Sequence, residues 1–297
     1  MIAVIGGTGL GEAIADDGGE TIAADTPFGP PSAPLVRANW GGAEVIFLDR
    51  HGPGHALNPS TVPYRANIFA LKAAGVTTVI ASGAVGSLRE EIKPGDLVVC
   101  DQTIDKTFRR AGTFYHGDRA PGGGLAVHVE FAEPFCPVLR RRMLDQADRV
   151  GLTVHPRGTY VCMEGPQFSS RAESNMHRAW GGDLIGMTAM PEAKLAREAE
   201  MSYALVAMVT DYDCWRPHQT ADRQTLLAEI LSNLKQATEN AIALIHAVAA
   251  SLNEAPIEDC EAFHALELAV WTDKSTVPQR TVERLRPLIG RYFGNRS

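Results

Sequence analysis

The sequence predicts an α/β fold: a single domain with a central mixed, mostly parallel sheet flanked by helices, plus a helical C-terminal extension. Three observations carry this. Apolar runs of strand length alternate with helical patterns, and alternating βα units imply a mostly parallel sheet covered by helices. Residues 34–37 and 43–48 read as a hairpin, which adds antiparallel pairing. The apolar run that starts at Ala204 stops abruptly at two carboxylates, Asp211 and Asp213. In open α/β sheets ligands bind beyond the carboxyl ends of strands, so that corner is the first place to look for a site.

The elements follow in order. Residues 2–5 form a strand that runs into Gly6-Gly7-Thr8-Gly9, a glycine turn whose amides could approach an anion. The dinucleotide fingerprint fails there, because Ile14 stands where Gly or Ala is required. Residues 66–74 are helical in pattern and stop at Gly75. A buried strand over 76–82 ends in a glycine loop over 83–87, and a third strand spans 97–102. Pro121 and three following glycines mark a loop. Residues 137–151 predict a surface helix, with Arg140, Arg141 and Arg142 on its solvated face.

A strand over 158–163 precedes Ser170 and Glu173, which form an S-x-x-E capping box for a helix reaching about 181. A short strand over 183–187 follows, then a helix to 200 with Pro191 in its first turn. Residues 220–252 predict a long amphipathic helix. The domain division is 1–255 for the α/β domain and 256–297 for the extension. The extension ends in a helix over 277–293 and packs on the domain or on a neighbouring subunit.

Composition excludes several classes. A net charge of -7 leaves no basic excess to neutralise phosphates of a nucleic acid. Five cysteines without CxxC spacing read as reduced thiols rather than a disulfide framework or zinc site. No basic, apolar leader opens the sequence and no run is long enough to span a bilayer, so a cytoplasmic protein is expected.

The strand ends deliver a consistent set of polar groups. Thr8, Arg50, His51 and Thr188 could form an oxyanion cradle, with the planar fork of Arg matched to phosphate. Met187 and Phe168 supply apolar surface for a sugar face or a heterocycle. Asp211 and Asp213 supply acids at the far corner. Each has a plainer alternative as a turn, core or capping residue; their joint placement at successive strand ends favours a site.

Eight segments resemble the methylthioadenosine phosphorylases, within the trimeric purine nucleoside phosphorylase family. They are IGGTGL from Ile5, DTPFG from Asp25, RHG from Arg50, GSLREEIKPGD from Gly86, AEPFCP from Ala132, EGPQFSSRAES from Glu164, GMT and PEA from Gly186, and TDYDCW from Thr210. The resemblance implies the nucleoside phosphorylase fold and a cytosolic homotrimer. It implies reversible attack of phosphate on the nucleoside, without metal or organic cofactor; inorganic phosphate is a co-substrate. It implies that Thr8, Arg50, His51, the Gly83-Ala84 turn and Thr188 hold phosphate. Met187 would contact ribose and Phe168 the base, with Ser169 and Tyr212 in the same substrate set. His128 would reach into a neighbouring subunit's site, and His55 would help close that pocket. Asp211 would protonate the leaving base and Asp213 would accept from its exocyclic amine.

Two positions depart from the family pattern. Gly83 stands where a Thr is common, and Gly186 where an Asn is common; the GMT run is closer to methylthioinosine-cleaving relatives. The acid pair favours adenine-type bases, because a 6-oxo group would leave an acid unpaired. Cleavage of methylthioinosine or another purine nucleoside is the near alternative. A Rossmann-like oxidoreductase and a catalytically silent nucleoside-binding protein are the alternatives from other classes.

Overall fold

The computed structural model describes residues 1–7, 19–40, 42–116, 124–216 and 222–294. Eleven strands form one sheet: β1 (Ile2–Gly6), β2 (Glu20–Ile22), β3 (Leu35–Trp40), β4 (Ala43–Asp49), β5 (Thr78–Ser87), β6 (Leu97–Val99), β7 (Gln102–Lys106), β8 (Val154–His155), β9 (Thr159–Met163), β10 (Leu184–Gly186) and β11 (Ser202–Tyr212). The described α-helices are α1 (Tyr64–Ala73), α2 (Pro137–Arg149), α3 (Arg171–Ala179), α4 (Ala189–Glu198), α5 (Arg223–Glu254), α6 (Gln279–Arg284) and α7 (Arg286–Phe293). This is the predicted mixed, mostly parallel α/β sheet flanked by helices.

The sheet is organised on β5. Its first residues pair in parallel with β1 on one side and β11 on the other. The β1 pairing ends at Ala81, and β10 then pairs antiparallel with Gly86 and Ser87. Along that edge the residues between have no strand partner among the described residues, while β11 still pairs with them from the other side. The loop expected over 83–87 is therefore strand. Its glycines serve close approach: a Cβ on Gly86 would lie 3.0 Å from Ile185 Cγ2 and 3.3 Å from Asp213 Cβ.

Strands buried on both faces explain the continuous apolar runs. One core, with Leu139, Met143, Leu244 and Val248, packs α2 and α5 on the sheet. The other packs α1 and α4, and it also takes Val282, Leu285, Leu288, Ile289 and Phe293 of the C-terminal segment. The single final helix expected over 277–293 is two, broken at Leu285 (φ -103°, ψ 16°). The strand expected over 97–102 is also two, β6 and β7. Arg140 Nε donates to the Cys100 carbonyl at 2.7 Å where the chain bends between them.

The basic stripe on α2 is more than a solvated face. Arg140 Nη2 also donates to Pro156 O, and Arg142 Nη1 donates to Ser251 O and Ala255 O, capping the carboxyl end of α5. The Ser170 capping box forms as expected: its hydroxyl accepts from Glu173 N while the Glu173 side chain accepts from Ser170 N. The glycine-rich stretch after Pro121 lies largely outside the described residues.

Candidate active site

A cavity of about 550 Å³ opens beside the bare stretch of β5. Arg50, His51, His55, Gly83, Ala84, Phe168, Ser169, Met187, Thr188, Asp211, Tyr212 and Asp213 all line it. Segments separated by more than a hundred residues thus meet at the carboxyl ends of β1, β4, β5, β9, β10 and β11. Thr8 lies outside the described residues. His128 is not at this cavity; it is exposed and meets Trp271 edge-on at 4.9 Å between ring centres.

At one end the charge is neutralised within the protein. Arg50 is wholly buried, as is Glu192 on α4, and they pair through Nε–Oε2 at 2.7 Å and Nη2–Oε1 at 2.8 Å. Arg50 Nη1 donates to Ser82 O at 2.8 Å, and Tyr203 Oη donates to Glu192 Oε1 at 2.8 Å. Burial opposes the guanidinium charge, but Glu192 more than offsets it, so the Arg50 pKa is raised. The fork expected to clamp phosphate is thus engaged by Glu192, leaving a remaining N–H on each of Nη1 and Nη2. Gly7 is needed for this packing, because a Cβ there would lie 2.8 Å from Arg50 Nη1 and 3.0 Å from Ser82 O.

His51 is neutral in this setting. Burial first, and then the charge of Arg50, lowers its pKa to about 4. Nδ1 lies 2.8 Å from Leu57 O, so the neutral ring carries its proton on Nδ1 and leaves Nε2 as an acceptor. The His55 ring stacks on it at 4.2 Å between centres.

The other end holds the two acids. A register shift in the β5–β11 pairing between Val209 and Asp211 sets Thr210 out of step, a bulge of the kind that re-aims side chains next to sites. Thr210 Oγ1 lies 2.7 Å from Asp211 Oδ1 as a donor. Asp213 is buried, and its Oδ2 has no hydrogen-bond partner among the described residues. The Phe168 ring is 85% exposed at the mouth, where it can cover an entering ring. Tyr212 Oη donates to Glu90 O at 3.2 Å, which turns its hydroxyl away to the surface.

Several lining or supporting residues escape sequence reasoning. Ile230 and Leu234, one helical turn apart on α5, add an apolar wall. Their only sequence signal is the amphipathic stripe. Glu192 lies inside the PEA segment but carries no sign that it pairs with Arg50, 142 residues away. Tyr160 explains Gly186: a Cβ at that position would lie 2.0 Å from Tyr160 Oη. The same hydroxyl accepts from Thr188 N at 3.2 Å. The space beside Met187 is therefore filled from β9 rather than from position 186 itself.

A cavity at strand ends with a neutralised cation at one side and two acids at the other marks the chain as an α/β small-molecule site protein. Comparison makes the class particular. The family model described as the phosphorylase superfamily matches residues 1–250. The S-methyl-5'-thioadenosine phosphorylase of Geobacter sulfurreducens is 45% identical over 293 residues, covering 98% of this chain and 99% of that protein. The enzyme of the same name from Koribacter versatilis is 43% identical over 297 residues, covering 100% and 98%. A crystal structure of methylthioadenosine phosphorylase sourced from an antarctic soil metagenomic library superposes with a TM-score of 0.88 at 42% identity, covering 97% of this chain and 98% of that one. The methylthioadenosine phosphorylase of Schistosoma mansoni in complex with tubercidin gives 0.79 at 33% identity, covering 98% and 97%. This chain belongs to the phosphorylase superfamily.

Proposed function

We propose that the chain catalyses reversible phosphorolysis of S-methyl-5'-thioadenosine to adenine and 5-methylthioribose 1-phosphate. The observation that carries the reading is Asp213 Oδ2, buried and unpartnered among the described residues, in the same cavity as Arg50 and Asp211. A buried carboxylate oxygen without a donor is costly, and an exocyclic amine supplies the missing donor. A 6-oxo group would not. The names of the full-length relatives agree with this base.

In the reaction a phosphate oxygen bonds to the anomeric carbon as the bond from that carbon to the purine nitrogen breaks. The sugar passes through an oxocarbenium-like state while negative charge collects on the purine. Protonated Asp211 gives its proton to the imidazole-ring nitrogen of the base; a positioned acid contributes roughly a hundred- to ten-thousand-fold. Phosphate acts as nucleophile and as the counter-charge to the sugar, so its cradle works by position and electrostatics.

Thr8, Arg50, His51, Gly83, Ala84 and Thr188 are the residues assigned to phosphate. His51 Nε2 then accepts from a protonated phosphate oxygen. Met187 faces the ribose, Phe168 and Ser169 the base, with Tyr212 beside them. Ile230 and Leu234, apolar residues of the cavity lining, suit a methylthio group better than a hydroxyl. We also propose a cytoplasmic homotrimer in which His128, exposed and away from its own cavity, reaches a neighbour's site. The test is phosphate-dependent release of base from a panel of nucleosides, followed by absorbance. Release from methylthioadenosine in preference to the inosine analogue is expected; no release from any nucleoside removes the enzyme reading.

A further inference from the structure

Two loops that line the cavity have no ladder of their own. One runs from Met187 to Met190 after β10, and the other follows Glu164 at the end of β9. Met190 is extended (φ -114°, ψ 136°), so α4 does not begin regularly, and the carbonyls of Met187 and Met190 need partners from elsewhere. Arg110 supplies them. Its side chain is 1% exposed, and it lies in the irregular segment after β7 rather than at the cavity. The two N–H of Nη1 are shared among Met187 O at 2.6 Å, Met190 O at 2.7 Å and Tyr64 Oη at 3.1 Å. Nη2 donates to Glu164 O at 2.5 Å, and Nε to Glu164 Oε1 at 3.4 Å. The same carboxylate accepts from Phe108 N at 2.9 Å, which closes the tie back to the segment that carries Arg110.

We infer that Arg110 is a positioning residue for the reaction: one buried guanidinium joins the ends of β9 and β10 and so fixes Met187 and Thr188 in the cavity wall, whose lining also includes Phe168. The inference rests on the phosphorolysis reading for its assay, though not for its geometry. Thr188 N is held by Tyr160 and Met190 N lies 3.3 Å from Cys162 Sγ, so the strap is bonded at Met187, Thr188 and Met190. Arg110 donates to backbone carbonyls of both loops. A planar fork with five N–H donors can collect divergent carbonyls; an ammonium, with three donors on one atom, cannot span them.

The test uses Arg110→Lys and Arg110→Ala in the full chain. Arg110→Lys keeps the charge, its folding is checked by cooperative melting, and it should lower kcat/KM by about tenfold or more with KM raised for both phosphate and nucleoside. Arg110→Ala should lose about a hundredfold. Added guanidinium ion at low concentration should restore part of that loss, and ammonium at equal ionic strength should not. A residue needed only for folding would reduce active protein, seen as loss of cooperative melting, while leaving KM unchanged and giving no guanidinium-specific rescue. That pattern, or a wild-type KM and kcat in Arg110→Lys, overturns the inference. Wild-type enzyme assayed in parallel separates the two readings. If it releases no base, phosphorolysis fails, and calorimetric binding of adenine to wild type and Arg110→Lys then decides the positioning role: weaker binding by the variant supports it, and equal or absent binding in both overturns it.

Discussion

At the Arg50 end of the cavity, the charged groups are matched before any ligand arrives. Glu192 neutralises Arg50, His51 holds no proton on Nε2, and Tyr203 completes the carboxylate. At the Asp213 end, a buried carboxylate oxygen has no partner among the described residues and an aromatic ring stands exposed over the opening. The first end lies in the core between β4 and α4 and is part of what holds the fold. The second lies past a bulge in β11, and on the proposed reading a bound base completes it. Substitutions at the Arg50 end should therefore be felt in folding, and those at the acid end in turnover alone.

The largest expected effect is at Glu192. Glu192→Ala leaves the wholly buried Arg50 without its counter-ion and should cost about 3–5 kcal/mol of stability, read by urea denaturation. Unchanged stability would mean that Arg50 finds water or another acid, and the contrast between the ends would collapse. Asp211→Asn is the converse. It should lower kcat/KM for adenine release by about a hundredfold or more with little change in melting temperature, and shift relative preference toward the 6-oxo analogue. Equal activity with Asn would remove Asp211 as the proton donor.

Tyr160→Phe tests the boundary between the two ends. It leaves Thr188 N without its acceptor in a buried site, a loss of about 1–3 kcal/mol that should appear mainly as a higher KM for phosphate. A raised nucleoside KM with phosphate KM unchanged would assign Thr188 to the other substrate.

What was legible in the sequence divides along the same line. The alternating elements, the hairpin, the capping box and the strand-end residues could be read because each depends on nearby sequence. The acid pair could be read for that reason too. Glu192, Arg110 and Tyr160 could not, since each acts through a partner brought close only by the sheet. Gly83 and Gly186 looked like defects when judged by their own positions. Tyr160 Oη fills the space at Gly186, whereas a Cβ at Gly83 would meet only Thr188 Oγ1, at an ordinary contact distance of 3.4 Å, so the packing there does not require glycine. The glycines after Ala81 read as a loop because glycine usually breaks a strand. Here it permits the close approach of β10 and Asp213.

Protonation gives the smallest effect and the sharpest check on the Arg50 end. An ordinary histidine titrates near 6.5, whereas His51 is lowered to about 4. The unfolded chain therefore binds a proton between those values that the folded chain refuses, so His51 lowers stability as pH falls through that window. Glu198 on α4 works in the opposite sense. Burial raises its carboxyl from 4.5 to about 7, although Thr113 Oγ1 and Phe114 N donate to it. The folded chain keeps a proton that the unfolded chain loses, so Glu198 lowers stability as pH rises from about 4.5 to about 7. Where the windows overlap the two slopes oppose each other and the native protein conceals both. Glu198→Gln should expose the histidine: the stability of the variant should rise by about 1.4 kcal/mol per pH unit across the overlap, while that of the native protein stays nearly flat. A difference independent of pH would mean that Glu198 is already ionised in the fold. Over the same range phosphate KM should show no inflection from His51 near 6.5; one that disappeared in His51→Gln would mean that phosphate meets an imidazolium, and that the Arg50 end is not neutral before its ligand binds.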